Sequence, residues 1–403
     1  MIGVSFIFHF HLLLYFVDLY DILIYNLIEK LRGIYMRSKM SDSLRFIVFS
    51  NCKEFGEAVN NELNKIRGTN DNYIVPIKEN RFSNGEGKIQ IRETIRSKDL
   101  YIISDVGNHS ITYKMFGYEN HMGPDEHFQD IKRVISATKG HAKKINLVMP
   151  MLYASRQHKR DSRESLDCAI ALRELESLGI DSILTFDAHD PNVENAVPCM
   201  NFENFYPTHT ILDTFVDSEE IDFSNLLVVS PDSGAMKRNI YYANMLKADV
   251  GMFYKRRDVS VLIDGKNPIV SHEYSGKDVD GKNIIVVDDM IASGDSILDV
   301  ASELKKRGAK NIYLISTFSL FTSGITKFNE AYEKGLFSKI YTTDLSYICP
   351  EAKEQPWIKI VSCANYLADI ISTLNYQQSI SPLLKGKEKI LTKLNEKTNI
   401  FNK

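Results

Sequence analysis

Two adjacent carboxylates, Asp288 and Asp289, follow a run of apolar residues from Ile284 to Val287. The run predicts a buried parallel strand, and a loop of small residues and an amphipathic helix come next. The free N–H groups and the dipole at the start of such a helix favour a phosphate group. The carboxylates can accept hydrogen bonds from neighbouring sugar hydroxyls. This arrangement suits a sugar phosphate such as ribose 5-phosphate, and its alternative is an ordinary strand-to-helix turn with a solvated acidic pair.

The loop that follows the two carboxylates supplies further groups for a phosphate. Ser293 and Ser296 carry hydroxyl donors. Gly294 lets the backbone approach a ligand closely, because it has no side chain.

Two other segments carry groups that suit a nucleotide. A loop that contains a glycine presents an aromatic and two polar residues, Phe82, Asn84 and Glu86. Such a set can stack on a base and hydrogen-bond its edge, or it can form a plain hairpin turn. Four cations follow the predicted strand Ile145–Met149, namely Arg156, Lys159, Arg160 and Arg163. Open α/β sheets bind ligands at the carboxyl ends of their strands, so this cluster suits a polyphosphate, or else forms a solvated loop.

Two more predicted strands end in groups that could bind magnesium. Ile183–Phe186 leads into Asp187 and His189, and Leu226–Val229 is followed by Asp232, a glycine and a helix. These side chains could reach Mg²⁺ directly or through water. A structural role is the alternative for the histidine.

The composition is that of an ordinary globular protein. The 403 residues, 44% hydrophobic and 25% charged, predict two or three domains. A net charge of −3 gives no reason to expect a nucleic acid as partner. Five scattered cysteines without CxxC spacing argue for a reducing cytoplasm and against a disulfide framework or a zinc site.

Residues 1–40 differ from the rest of the chain. Their apolar character is interrupted by charged and polar residues, namely His9, His11, Asp18 and Asp21. A membrane span needs about 20 nearly uninterrupted apolar residues, and a signal peptide needs a basic start and a cleavage site. We therefore interpret residues 1–40 as an N-terminal extension that is dispensable or even untranslated, and we do not expect membrane association. A membrane-associating helix is the alternative.

The segments, taken in chain order, resemble the ribose-phosphate pyrophosphokinases, or PRPP synthetases, of the phosphoribosyltransferase-like superfamily, in a longer-chain bacterial variety. The resemblance runs from about residue 44 to about residue 375. It rests on six motifs: RFSNGE (Arg81–Glu86), YASRQ (Tyr153–Gln157), FDAH (Phe186–His189), VSPDSG (Val229–Gly234), YKRR (Tyr254–Arg257) and VDDMIASGDS (Val287–Ser296).

The resemblance implies an α/β fold of two tandem phosphoribosyltransferase-like domains, each a mainly parallel sheet flanked by helices. Residues 41–205 would form the ATP side and residues 206–375 the ribose 5-phosphate side, with a polar tail at 376–403. The implied reaction transfers the diphosphoryl group of ATP to the 1-hydroxyl of ribose 5-phosphate, giving PRPP and AMP with Mg²⁺. The implied assembly is a cytoplasmic homo-oligomer, a hexamer or smaller, in which the adenine loop reaches the ATP of a neighbouring subunit.

The resemblance also implies roles for individual residues. Lys255 and Arg257 would be catalytic, delivered by a mobile lid over residues 258–282. The ATP set would be Phe82, Asn84, Glu86, Arg156, Gln157 and His189. The ribose 5-phosphate set would be Asp288, Asp289, Ala292, Ser293, Gly294, Asp295 and Ser296. The metal set would be His189, Asp232 and Asp187.

The chain departs from the family pattern at three places. Ala292 stands where the family usually has Asp, His158 follows Arg156 and Gln157 where Asp is commoner, and the lid and segment 109–128 are longer. Two alternatives stay open at this point. One is a phosphoribosyltransferase that consumes PRPP, and the other is a non-catalytic regulatory subunit that resembles the synthetase.

Overall fold

The computed structural model describes Ile24, Leu27 and residues 43–138, 140–257, 269–384 and 386–401. Side chains are described for all of these except 255–257, 269–272 and 398–401. Most of the predicted extension 1–40 and part of the predicted lid, 258–268, therefore lie outside the described residues. No helix in the described part of the chain is long and apolar enough to cross a membrane.

The described residues form sixteen strands and ten α-helices. The strands are β1 (Leu44–Val48), β2 (Ile77–Arg81), β3 (Gly87–Ile91), β4 (Asp99–Ile103), β5 (Thr112–Met115), β6 (Tyr118–His121), β7 (Lys144–Val148), β8 (Ser182–Phe186), β9 (Asn201–Phe205), β10 (Leu226–Ser230), β11 (Asp249–Arg257), β12 (Ile269–Ser275), β13 (Asn283–Ile291), β14 (Asn311–Ser319), β15 (Lys339–Thr343) and β16 (Ile358–Val361). The helices are α1 (Lys53–Arg67), α2 (Pro124–Thr138), α3 (Asp167–Ser177), α4 (Thr208–Ser218), α5 (Met236–Leu246), α6 (Asp295–Lys306), α7 (Thr326–Glu333), α8 (Pro350–Lys353), α9 (Ala364–Asn375) and α10 (Lys387–Phe401).

Two open sheets organise these elements. The first has the order β1-β4-β7-β8-β9 with all strands parallel. The second has the order β12-β11-β10-β13-β14-β15-β16, parallel except for β12. Their central strands are apolar on both faces because helices cover both faces of each sheet. The predicted α/β fold of two mainly parallel sheets flanked by helices is confirmed.

The two sheets repeat one strand arrangement. In the first, Ile74 forms a parallel bridge to β1 on the side away from β4. In the second, β11 lies beside β10 on the side away from β13. By position, β1 therefore corresponds to β10 and β4 to β13, and the loops after corresponding strands occupy equivalent places at the carboxyl edges of the two sheets.

Helix α9 shows that the halves of the sequence are not independent packing units. We predicted residues 206–375 to belong to the second half, but α9 buries Leu367, Ile370 and Ile371 in the core over the first sheet. Asn375 donates to the Asp99 carboxylate of β4 at 2.7 Å. The apolar periodicity of a helix predicts that one face is buried, but it does not identify the sheet that covers this face.

Three further segments differ from the sequence predictions. Residues 269–275 of the predicted lid form β12, which pairs antiparallel with β11. Segment 109–128, to which the sequence assigned no regular element, contains the β5–β6 hairpin and the start of α2. The predicted polar tail includes α10, whose Ile390 and Leu394 are buried against the second sheet's helices. In each case polar residues on exposed faces masked the apolar pattern by which a strand or helix is recognised in a sequence.

Candidate active site

The loop between β13 and α6 has the geometry of a phosphate cradle. Strand β13 continues through both carboxylates to Ile291, and α6 begins at Asp295 with Gly294 as its N-cap. Asp289 is buried and Asp288 is partly buried. Because the first backbone N–H groups of a helix have no intrahelical partner, the start of α6 can donate to an anion in this loop. Sequence and structure agree on this arrangement.

The rest of the loop is held by polar contacts. The Ser293 hydroxyl donates to Asp295 Oδ2 at 2.7 Å, and Lys327 Nζ lies 2.5 Å from Asp295 Oδ1. The hydrogen bond from Lys327 lowers the pKa of Asp295. The carbonyl group of Ala292 accepts from the Thr322 backbone at 3.0 Å. The position that departs from the family pattern is therefore fixed through its backbone.

Gly294 is the residue of this loop that tolerates substitution least. Its φ is +88°, and an added Cβ would lie 2.1 Å from Phe328 Cζ. Phe328 is fully buried and packs against Phe321 and Trp357, so it cannot move aside cheaply. We expect Gly294→Ala to cost about 1–2 kcal/mol for the left-handed backbone and about 1–3 kcal/mol more for overpacking. Urea unfolding measures this loss.

Gly324→Ala is the matched control for this prediction. Gly324 has φ +73° but nothing within 4 Å of an added Cβ. Its variant should therefore lose only the conformational part of the stability. Equal losses in the two variants would show that the contact with Phe328 does not constrain the loop.

His189 connects the two halves of the chain. Its Nδ1 donates to Asp289 Oδ2 at 2.6 Å, so the loop after β8 meets the predicted sugar-phosphate loop after β13. This hydrogen bond raises the pKa of His189. Burial alone would raise the pKa of Asp289, but the hydrogen bond from His189 and the charge of Arg238 outweigh burial and lower it. Burial, and then the charge of Asp289, raise the pKa of Asp288 to about 8. The negative charge of the pair therefore resides mainly on Asp289.

Asp187, which was predicted to contact the metal, is held by two protein partners. Arg238 donates to both oxygens of Asp187 at 2.8–3.1 Å, and the Thr317 hydroxyl donates to Oδ2 at 2.6 Å. Arg238 also lies 4.0 Å from Asp288. Asp187 is buried with both oxygens engaged, so it fixes the loop that carries His189. The sequence did not reveal these contacts of Asp187, because Arg238 and Thr317 come from the other half of the chain.

Asp232 lies in the turn between β10 and α5. Its Oδ1 accepts from the Ala235 backbone at 3.0 Å, and its side chain is partly exposed. Within the described ranges there is no group of three or more His, Cys, Asp or Glu side chains placed to hold a metal ion. A magnesium ion here would take one or two protein ligands and complete its shell with phosphates and water, as is usual for this ion. The assignment of His189 and Asp232 to the metal stays a prediction.

The basic turn after β7 lies beside His189. Tyr153 stacks on Phe128 with ring centroids 4.3 Å apart, which fixes the start of the turn. The ring of His158 lies 5.4 Å from that of His189, and its Nε2 is 3.5 Å from Asp190 Oδ2. Arg156 and Gln157 are exposed. The structure thus brings the predicted polyphosphate turn next to the predicted metal segment.

Phe82, Asn84 and Glu86 lie on the turn of the β2–β3 hairpin. Phe82 is half exposed, and Asn84 Nδ2 donates to the Glu86 carboxylate at 3.0 Å. Lys255 and Arg257 lie at the end of β11. For the last three residues of this strand the structure describes only the backbone. Their side chains lie outside the described residues, so their catalytic role stays a prediction.

A second junction between the halves involves the loops after β4 and β15. Asp105 is buried and accepts from the Ser346 hydroxyl at 3.0 Å and from the Tyr347 backbone at 2.7 Å. It lines a cavity of about 630 Å³ together with residues that include Asn51, Ser346 and Tyr347. The sequence gave Asp105 no recognisable role, because its partners are about 240 residues away.

Asp105 should make stability depend on pH. Burial raises its pKa to about 6, so the folded state favours the protonated form. The resulting contribution to the free energy of unfolding is about 3 kcal/mol. It is fully present below the unfolded pKa of about 4 and is lost as the pH rises through 6. We expect the stability difference between the wild type and Asp105→Asn to shift by this amount between pH 4 and pH 7. Urea unfolding across that range measures it, and a constant difference would contradict the prediction.

Arg238 and Thr317 are the residues of this site that sequence reasoning missed. Arg238 follows Asp232 by six residues, on the first turn of the predicted helix, at the same sheet edge as the other candidates. A basic residue at that place could have been flagged. Thr317 lies inside an apolar strand and gave no signal of its own.

Two family models match the chain. One, described as the N-terminal domain of ribose phosphate pyrophosphokinase, matches residues 44–179, and the other, the phosphoribosyl transferase domain, matches residues 213–354. Together they span more than half of the chain.

Named relatives agree with the family models. A ribose-phosphate pyrophosphokinase of Prochlorococcus marinus subsp. pastoris is 26% identical over 317 residues, covering 77% of this chain and 86% of the relative. The ribose-phosphate pyrophosphokinase 1 of Streptococcus pneumoniae serotype 4 is 27% identical over 349 residues, covering 86% of this chain and 98% of the relative. The crystal structure of phosphoribosylpyrophosphate synthetase from Mycobacterium smegmatis has a TM-score of 0.69 at 20% identity, and the match covers 82% of this chain and 98% of that chain. This last likeness shows a shared fold.

Proposed function

Because the chain belongs to the ribose-phosphate pyrophosphokinase family, we propose that it transfers the diphosphoryl group of ATP to the 1-hydroxyl of ribose 5-phosphate, giving PRPP and AMP. One observation supports this most strongly. His189, from the segment predicted to bind ATP and metal, donates to Asp289, from the predicted sugar-phosphate loop, at 2.6 Å. Two substrates bound by these segments would lie at one centre.

The sugar phosphate would bind in the loop between β13 and α6. The backbone N–H groups at the start of α6, with Ser293, Gly294, Asp295 and Ser296, would hold the 5-phosphate. Asp288 and Asp289 would accept hydrogen bonds from the ribose hydroxyls. Ala292 carries no polar side chain, so it would contribute through its backbone.

The nucleotide would bind on the side of the first sheet. Arg156 and Gln157 would contact its phosphates, and Phe82, Asn84 and Glu86 would contact its base. His189 uses Nδ1 for Asp289, so Nε2 is the ring nitrogen that would contact the ATP phosphates or the metal ion.

We assign Mg²⁺ to His189 and Asp232, with Arg238 and Asp187 as the pair that positions the His189 loop. The donor set of one imidazole and one carboxylate fits an ion whose remaining ligands are phosphate oxygens and water. When bound, the ion neutralises charge on the transferring phosphates.

The protein's part in the reaction would be positioning and neutralisation. Attack at the β-phosphorus builds negative charge on the oxygens around it. Lys255 and Arg257, delivered by the segment that follows β11, would clamp the migrating diphosphoryl group. The 1-hydroxyl of the sugar would face the β-phosphorus because both substrates are held by loops joined through His189 and Asp289.

The assembly and location follow from the same family. We propose a cytoplasmic homo-oligomer, a hexamer or smaller, in which the Phe82 turn serves the ATP of a neighbouring copy. The five cysteines are free, as a reducing compartment requires. We place the two substrate-binding domains at 41–205 and 206–375, with α9 packed across to the first.

An AMP-release assay with and without ribose 5-phosphate tests the proposed function. A chain starting at Met40, given ATP and Mg²⁺, should release AMP only when ribose 5-phosphate is present. Base-dependent release of pyrophosphate from PRPP would point to a phosphoribosyltransferase instead. Absence of AMP with all three components would point to a regulatory subunit.

A further inference from the structure

Two hairpins meet tip to tip on the first half of the molecule. One is β2–β3, whose turn carries Phe82, and the other is β5–β6. The Phe116 backbone N–H donates to the Ser83 carbonyl at 2.8 Å. A Cβ on Gly85, which has φ +91°, would lie 2.8 Å from Met115 Sδ. The tip of β5–β6 therefore packs closely against the turn proposed to contact the base.

Both hairpins are anchored to α2. Arg81, at the end of β2, lies 2.5 Å from the carboxylate of Asp130. Its guanidinium group also lies 5.4 Å from the centre of the Tyr113 ring, and the Tyr113 hydroxyl donates to Glu126. Asp130 and Glu126 both belong to α2. The shared anchor fixes the two tips relative to each other before any ligand binds.

Phe116 is an exposed aromatic residue at the tip of β5–β6. Its φ is +48° and that of Gly117 is +87°, as a two-residue hairpin turn between Met115 and Tyr118 requires. Its side chain is 75% exposed, so it gains little from burial within this chain. Phe82, across the contact, is also an exposed aromatic residue, at 50%. Two exposed aromatic residues on adjoining hairpin tips, one of them on the turn proposed to contact the base, suit a stacking contact with that base.

We propose that Phe116 is a second aromatic contact for the adenine base of ATP, in the same site that Phe82 serves. Base–aromatic stacking needs an exposed, rigidly held ring face, and the contact with Ser83 holds the backbone of Phe116 in place. This inference rests on the proposed function for the identity of the ligand. It assigns a role to the β5–β6 hairpin, which the sequence left without one.

The test compares ATP affinity by calorimetric titration, with Mg²⁺ and without ribose 5-phosphate. Phe116→Ala and Phe116→Gly should weaken ATP binding about tenfold, and Phe116→Tyr should restore it to within about twofold of the wild type. Binding of inorganic tripolyphosphate, which has no base, should not change. Tyr118→Ala is the matched control, since Tyr118 is on the same hairpin and 80% exposed, and it should bind ATP normally.

A second readout separates a base contact from a structural role. Because glycine adopts φ +48° without strain, Phe116→Gly should melt at or above the wild-type temperature while binding ATP more weakly. Lower melting temperatures that parallel the losses of affinity would overturn the proposal. So would a changed oligomeric mass by light scattering, which would make Phe116 an interface residue. Unchanged ATP affinity in Phe116→Ala, or an equal loss in Tyr118→Ala, would also overturn it.

Failure of this proposal is distinguishable from failure of the proposed function. If the wild type binds ATP but releases no AMP with ribose 5-phosphate, the proposed function fails, and the affinities still decide the role of Phe116. If the wild type does not bind ATP, both fail.

Discussion

Replacing Lys255 by alanine is expected to lower turnover about 10²–10³-fold while ATP binding persists. The reason is electrostatic. If Lys255 neutralises charge that develops on the migrating diphosphoryl group, its removal raises the barrier and leaves ground-state contacts of ATP with other residues in place. Steady-state AMP release gives the turnover number, and calorimetric titration with ATP and Mg²⁺ gives the affinity.

Arg256→Ala is the control for Lys255→Ala. Arg256 is the neighbouring cation on β11, and neither the family pattern nor the site gives it a catalytic role. Its variant should keep turnover within a few-fold of the wild type. Near-normal turnover in Lys255→Ala would refute the catalytic assignment, and an equal collapse in both variants would show that only the total positive charge matters.

Replacing Arg238 by methionine is expected to give the largest loss of stability. Asp187 is buried and Arg238 is partly buried, and the substitution leaves the Asp187 carboxylate with the hydrogen bond from the Thr317 hydroxyl of the other half. Breaking a buried ion pair by removing one member costs about 3–5 kcal/mol, because the remaining charge stays uncompensated. Turnover should fall as well, since the loop that positions His189 loses its anchor. Urea unfolding and AMP release measure the two effects.

A double variant separates the two effects of this substitution. Asp187→Asn removes the charge, and asparagine tolerates the φ of +44° found at this position. Arg238→Met combined with Asp187→Asn should recover part of the lost stability, because no buried charge is left unpaired. It should not recover turnover. If Arg238→Met alone is as stable as the wild type, the interaction does not hold the halves together.

The elements that the sequence predicted well are short apolar strands followed by polar loops. Runs such as Ile284–Val287 and Leu226–Val229 are buried on both faces, so their apolar character directly reports their place in the sheets. Polar groups that follow such strands must lie at one edge of a parallel sheet. This is why the sequence could place His189 at the carboxyl edge of one sheet and Asp289 at the carboxyl edge of the other.

The contacts between the halves could not be predicted in the same way. The Arg238–Asp187 pair and the contact of Asp105 with Tyr347 join residues far apart in sequence, and composition does not say which loops will face each other. The β5–β6 hairpin was missed because its residues are mostly exposed, so they show no apolar pattern. The packing of α9 on the first sheet depends on the whole fold, so the sequence around α9 does not reveal it.

The central claim is that ATP, ribose 5-phosphate and a divalent ion meet where His189 contacts Asp289. The most direct test is phosphorus NMR relaxation of bound ribose 5-phosphate, with Mn²⁺ in place of Mg²⁺ and an unreactive ATP analogue. We expect Mn²⁺ to accelerate the relaxation of the sugar's phosphorus strongly in the wild type and much less in His189→Ala. If ribose 5-phosphate binds but its phosphorus relaxation does not respond to Mn²⁺, the two substrates do not share this centre, and the account is wrong.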